Sequence, residues 1–157
     1  MAYSYNTLVD IFETFGENHL IIKRQEVSFF EQINNFSTDG DDFPLMYVEP
    51  SSIEFDVNVD NYSFRVYIVD LLLKDRSNEK EVMNQTQMVM RDLINWVRLS
   101  SDLNINITNI PLAIPVNNFL LDFTVGWYVD IDIESTTINN DCSIPFKDGF
   151  DYKPKDC

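Results

Sequence analysis

From Phe123 to Glu134 apolar and polar residues alternate without a break. Phe123, Val125, Trp127, Val129, Ile131 and Ile133 fall on one side, and Thr124, Gly126, Tyr128, Asp130, Asp132 and Glu134 on the other. A period of two predicts a β-strand. At about 3.3 Å per residue it would run roughly 40 Å, comparable to the width of a domain of this size. Such a strand spans its own domain or reaches beyond it.

The rest of the chain reads as a mixture of both periods. Leu8, Ile11, Phe12 and Phe15 recur at the spacing of one helical face and predict a short helix over 7–15, with Asn6 as a cap and Gly16 as a stop. From Lys23 the chain reads as extended, through Gln25, Val27 and Phe29, and then enters a polar loop over 34–42. The run from Phe43 to Pro50 is apolar and bounded by prolines, which should mark strand ends or edges because proline donates no ladder hydrogen bond. Ile53 to Val59 and Tyr62 to Ile68 alternate on either side of Asp60-Asn61 and predict a β-hairpin turning at that pair. The continuously apolar run from Ile68 to Leu73, broken by Asp70, implies burial on both faces or a subunit contact.

A long helix follows. Ser77 or Asn78 can cap it, Glu79 and Glu81 suit its N-terminal dipole, and Val82, Thr86, Val89, Met90, Leu93, Trp96 and Val97 form an apolar stripe out to Arg98. Ile105 to Pro115 reads as an edge-like or irregular extended segment leading to the long strand. These elements predict an α+β fold, a mostly antiparallel sheet with a β-hairpin packed against one long and one short helix. A single domain over 1–134 is expected, followed by an extended C-terminal arm over 135–157, which is polar and shows no period.

Composition supports a folded chain. Of 157 residues, 45% are hydrophobic and 13% aromatic, enough for one self-sufficient core. No apolar run reaches the roughly 20 residues needed to cross a bilayer, and the N-terminus lacks the basic region of a signal peptide, so a soluble, intracellular product is expected. A net charge of -15 disfavours gripping nucleic acid but is compatible with a conduit that DNA passes through. Cys142 and Cys157 lack metal-ligand spacing and are expected as free thiols.

No assembled catalytic motif is visible. His19 is the single histidine and sits just past a helix end, where a capping or surface role is expected. Asp130, Asp132 and Glu134 could offer oxygen ligands to a cation, yet three side chains on one straight strand point the same way and cannot wrap an ion. Asp39, Asp41 and Asp42 could join them only through a fold contact. Solvated or lumen-facing charge is the expected role of both groups, with no metal and no cofactor.

Several stretches carry a resemblance. Phe43-Pro44-Leu45-Met46-Tyr47-Val48, the passage through Asp70 into Asp75-Arg76-Ser77-Asn78-Glu79, and Val125-Gly126-Trp127 with the alternation after it are three of them. With Cys142-Ser143-Ile144-Pro145-Phe146 and the order of elements, they resemble the tail-terminator and tail-completion proteins of tailed bacteriophages. The small neck and tail proteins of crAss-like phages are included in that likeness, which spans residues 5–146. The resemblance implies a non-enzymatic virion protein that forms a homo-oligomeric ring at the head-to-tail junction, beside neck, portal or tail proteins. It also implies a terminal arm that engages a neighbour, with Ile144, Phe146, Phe150 and Tyr152 as its interface residues. In this setting Asp130, Asp132, Glu134, Asp39, Asp41 and Asp42 would face the channel, where DNA passes without specific binding. The protein would be found in the virion, and in the host cytoplasm during assembly. The other expectation is an acidic monomeric or dimeric module that docks a basic host protein.

Overall fold

Two central strands of 13 residues each organise the molecule: β3 (Val59–Leu71) and β6 (Thr124–Thr136) pair antiparallel along their whole length, from Val59↔Thr136 to Leu71↔Thr124. The computed structural model describes residues 3–29, 40–100, 103, 105–120 and 123–136. On the far side of β3 lies β2 (Leu45–Phe55), antiparallel, and then β1 (Arg24–Val27), parallel to β2. On the far side of β6, β4 (Asn106–Ile107) and β5 (Ile114–Asn117) pair with its two ends. The result is a six-stranded, mostly antiparallel sheet with two helices, the expected α+β fold.

Both helices cover the same face. α1 (Tyr5–Asn18) buries Leu8, Ile11, Phe12 and Phe15, and α2 (Glu79–Leu99) buries Val82, Thr86, Val89, Met90, Leu93 and Val97. They meet Met46 and Val48 from β2, alternate residues Tyr62 to Ile68 from β3, and Val129, Ile131 and Ile133 from β6. Phe12 packs on Phe64 at 5.0 Å between centroids, and Phe15 on Trp96 at 5.5 Å. One stripe per helix and every second strand residue thus build the main core. Burial of Ile68 and Val69 on opposite faces accounts for the start of the apolar run, whereas Leu73 at its end lies past β3 and is 56% exposed.

Four boundaries differ from expectation. α1 runs on to Asn18, with Ser4 as its N-cap, and Gly16 lies inside it. There glycine permits close approach to the sheet: a Cβ would stand 2.5 Å from Gln25 Cβ and 3.1 Å from Met46 Cε. The hairpin turns at Asp56–Asn58 instead of Asp60-Asn61. Asp60 and Asn61 are in β3 opposite Phe55 and Glu54, and the Asp56 N–H bonds the Val59 carbonyl at 2.9 Å. Phe123 precedes the strand, is 44% exposed and has φ 66, so it does not join the core face. β6 also continues past Glu134. Ser135 is buried and exchanges hydrogen bonds with the backbone of Tyr3, which moves the start of any arm to residue 137. No described helix is long and apolar enough to cross a membrane.

Candidate functional site

Among the described residues the second face of the sheet carries neither α1 nor α2, and it holds the acidic row. Register puts Asp130, Asp132 and Glu134 opposite Arg65, Ser63 and Asn61 on β3. Arg65 grips Asp130 with both ends of its fork, Nε to Oδ1 at 2.7 Å and Nη2 to Oδ2 at 3.1 Å, and its guanidinium lies 4.8 Å over the Tyr128 ring. This hydrogen-bonded carboxylate raises the Arg65 pKa above its ordinary value, so the side chain stays charged. Asp132 accepts from the Ser63 hydroxyl at 2.7 Å. The row expected as bare charge is therefore partly neutralised from the neighbouring strand.

Glu49 and Glu54 lie on the same face by register, opposite Arg65 and Asn61. Towards the hairpin tip, β2, β3 and β6 thus present Glu49, Glu54, Asp130, Asp132 and Glu134 against Arg65. The field there is negative. At the other end of this face an aromatic cluster closes the surface: Phe119 stacks on Tyr67 at 4.2 Å, and Tyr47 meets Phe119 at 5.8 Å. Burial raises the pKa values of Tyr47 and Tyr67, so both phenols are neutral at physiological pH.

Asp41 and Asp42 are not brought to this row. Asp42, in a 3-10 turn over Gly40–Asp42, pairs with Arg24 at 2.9 Å beside β1, at the opposite edge from β6. Asp41 shares that turn, and Asp39 lies outside the described residues. Ile144, Phe146, Phe150, Tyr152 and both cysteines also lie outside them. Among the described residues no group of three His, Cys, Asp or Glu side chains could hold a metal ion. His19 caps α1, its N–H bonding the Phe15 carbonyl, and its Nε2 meets Asp92 Oδ2 at 3.3 Å across to α2. That agrees with the expected capping role.

The two edges of the sheet are built differently. Among the described residues β1 pairs with β2 only as far as Val48, and no described strand lies beside the distal half of β2. A bulge after Pro50 interrupts the β2–β3 ladder, and residues 51–58 are all exposed. Beside it an apolar cavity of about 320 Å³ opens between Tyr5, Phe29, Pro50, Ile53, Tyr62 and Phe64. At the opposite edge β4 and β5 are separated by residues 108–113. Asn109 bridges the gap with its side chain, donating to the Asp130 carbonyl at 2.7 Å and accepting from the Asp132 N–H at 3.1 Å. Past it Ile110 and Leu112 stand 92% and 72% exposed. Neither Arg65 nor Asn109 is identifiable as a partner of the acidic strand without its register. The apolar spacing of Ile53 and Phe55 was visible, but not their exposure.

No protein-family model matches the chain, and no curated protein matches it.

Proposed function

We propose that this protein is a structural subunit of a phage virion that forms a closed homo-oligomeric ring at the head-to-tail junction. One observation carries the reading: opposite edges of one sheet expose different apolar surfaces, Ile53 and Phe55 at one side and Ile110 and Leu112 at the other. A head-to-tail ring needs two unlike surfaces on each subunit, whereas a two-fold dimer needs only one that matches itself. The acidic face, which no described helix covers, supports the same reading. Facing a lumen, Asp130, Asp132, Glu134, Glu49 and Glu54 would repel the DNA backbone and keep it from sticking during passage. Neck, portal or tail proteins would then lie above and below the ring, and residues 137–157 would contribute an arm to one of them.

Native mass spectrometry at rising protein concentration tests the ring. A progression that ends at one fixed copy number above two is expected. A species that stops at the monomer or the dimer, alone and with purified neck proteins, would instead favour the acidic docking module.

A further inference from the structure

Resting on that ring reading, we infer that the acidic tip of the β2–β3 hairpin in one copy docks in an arginine-flanked groove on α2 of the next. The groove follows from the helical period. Lys80, Arg91 and Arg98 stand 11 and 7 residues apart, close to three and two whole turns, so α2 carries its three cations on one line over roughly 27 Å. The carboxylates of α2 are elsewhere. Glu79 pairs with Arg76, Asp92 meets His19, and Glu81 falls about 100° round the helix from Lys80. Lys80, Arg91 and Arg98 make no ion pair among the described residues. Beside the two arginines an open cavity of about 340 Å³ has Met90, Ile94, Ile110 and Pro111 in its walls. Exposed guanidiniums around an apolar floor favour an apolar side chain flanked by carboxylates.

Charge and exposure select the occupant. Ile53, Phe55 and Val57 are 40%, 76% and 72% exposed, and from Ser51 to Phe64 the hairpin has Glu54, Asp56 and Asp60 but no Lys or Arg. Phe55 stands between Asp56, its chain neighbour, and Asp60, its partner across the ladder. An aromatic ring between two carboxylates is the counterpart of an apolar cavity beside two arginines. Elsewhere the setting differs: Leu73 and Leu99 adjoin Lys74 and Arg98, and Ile110 and Leu112 have no acidic neighbour in the chain. Residues 137–157 carry four Asp and three Lys, so their signs nearly cancel. A chain's own tip does not fill its own groove. No hairpin residue lines the cavity, which is bordered by the segment between β4 and β5, on the far side of β6 from β3. The contact therefore joins unlike surfaces of two copies, as a head-to-tail assembly needs. In it Asp56 and Asp60 meet Arg91 and Arg98 while Phe55 enters the cavity. Glu54, on the other face of β2 by register, is left to the acidic face.

Charge reversal tests this, each variant first shown by circular dichroism to fold as the parent. One double variant carries Asp56→Lys and Asp60→Lys, the other Arg91→Glu and Arg98→Glu. Each alone should fail to associate where the parent assembles, and the two mixed should associate, as read by sedimentation velocity. Phe55→Ala, which leaves every charge in place, should weaken association by about tenfold or more, since burying a phenylalanine is worth over a decade in affinity. Association of either double variant alone as readily as the parent overturns the inference, as does a mixture that stays apart; if the parent still forms a closed ring, the ring reading stands without this contact. Rescue by mixing in species that stop at two chains keeps the contact and removes the ring. A parent that stays monomeric at millimolar concentration overturns both.

Discussion

Replacing Trp127 probes how the long strand holds the long helix. Its indole is partly buried against the main core, and its Nε1–H donates to the Met83 carbonyl of α2 at 2.9 Å. Truncating a fully buried tryptophan costs about 3–5 kcal/mol. Part of the Trp127 surface already meets solvent, which brings the expectation for Trp127→Ala down to about 2–3 kcal/mol. Trp127→Phe keeps most of the ring packing and removes the hydrogen bond. The Met83 carbonyl retains the Thr86 hydroxyl at 3.2 Å, so no orphan acceptor remains and the loss should be about 0.5–1.5 kcal/mol. Each kcal/mol corresponds to roughly 2–4 °C in Tm for a chain of this length. Urea unfolding followed by far-ultraviolet circular dichroism measures both variants. Unfolding of Trp127→Ala within about 0.5 kcal/mol of the parent, the spread of neutral surface changes, or an equal cost for Phe and Ala, would show that Trp127 does not hold α2 on the sheet.

Gly126→Ala should destabilise by about 1–3 kcal/mol or prevent folding, because the new Cβ collides with the Ile68 carbonyl and lies 2.8 Å from Val69 Cα; thermal melts decide it. A double-mutant cycle on Arg65→Ala and Asp130→Ala should give a coupling of about 1 kcal/mol, since both side chains are partly exposed, and that coupling should shrink in high salt. Burial raises the pKa of Asp70, outweighing the Leu71 N–H bond that lowers it. Its ionised form therefore opposes folding at neutral pH, and this penalty disappears as pH falls through the raised folded value towards the ordinary 3.8. Asp70→Asn should be more stable than the parent at pH 7, with a difference in urea midpoint that closes on acidification; a less stable variant at pH 7 would contradict this.

Periodicity alone carried the helix stripes and the strand faces. Val82, Thr86, Val89, Met90, Leu93 and Val97 are buried as their spacing requires, and Val129, Ile131 and Ile133 share the core face. Turn positions were less legible. Asp56-Val57-Asn58 and Asp60-Asn61 offer similar turn chemistry, and Val57 continues the strand period although it is exposed in the turn. What decides between them is the pairing of β3 with β6 back to Val59↔Thr136, a contact between distant segments. Gly16 reads locally as a stop, whereas its packing against Gln25 and Met46 makes it part of the helix face. The acidic row was legible as a row, but the ion pair from Arg65 and the hydrogen bond from Ser63 depend on register, which alternation does not specify.

The ring is tested most directly by a single-particle map of the assembled protein at a resolution that traces β6. A closed ring of more than two subunits is expected, with the face bearing Asp130, Asp132 and Glu134 lining the lumen and the helices outside. Isolated subunits, two-fold dimers, or a ring with that acidic face on its outer rim would contradict it.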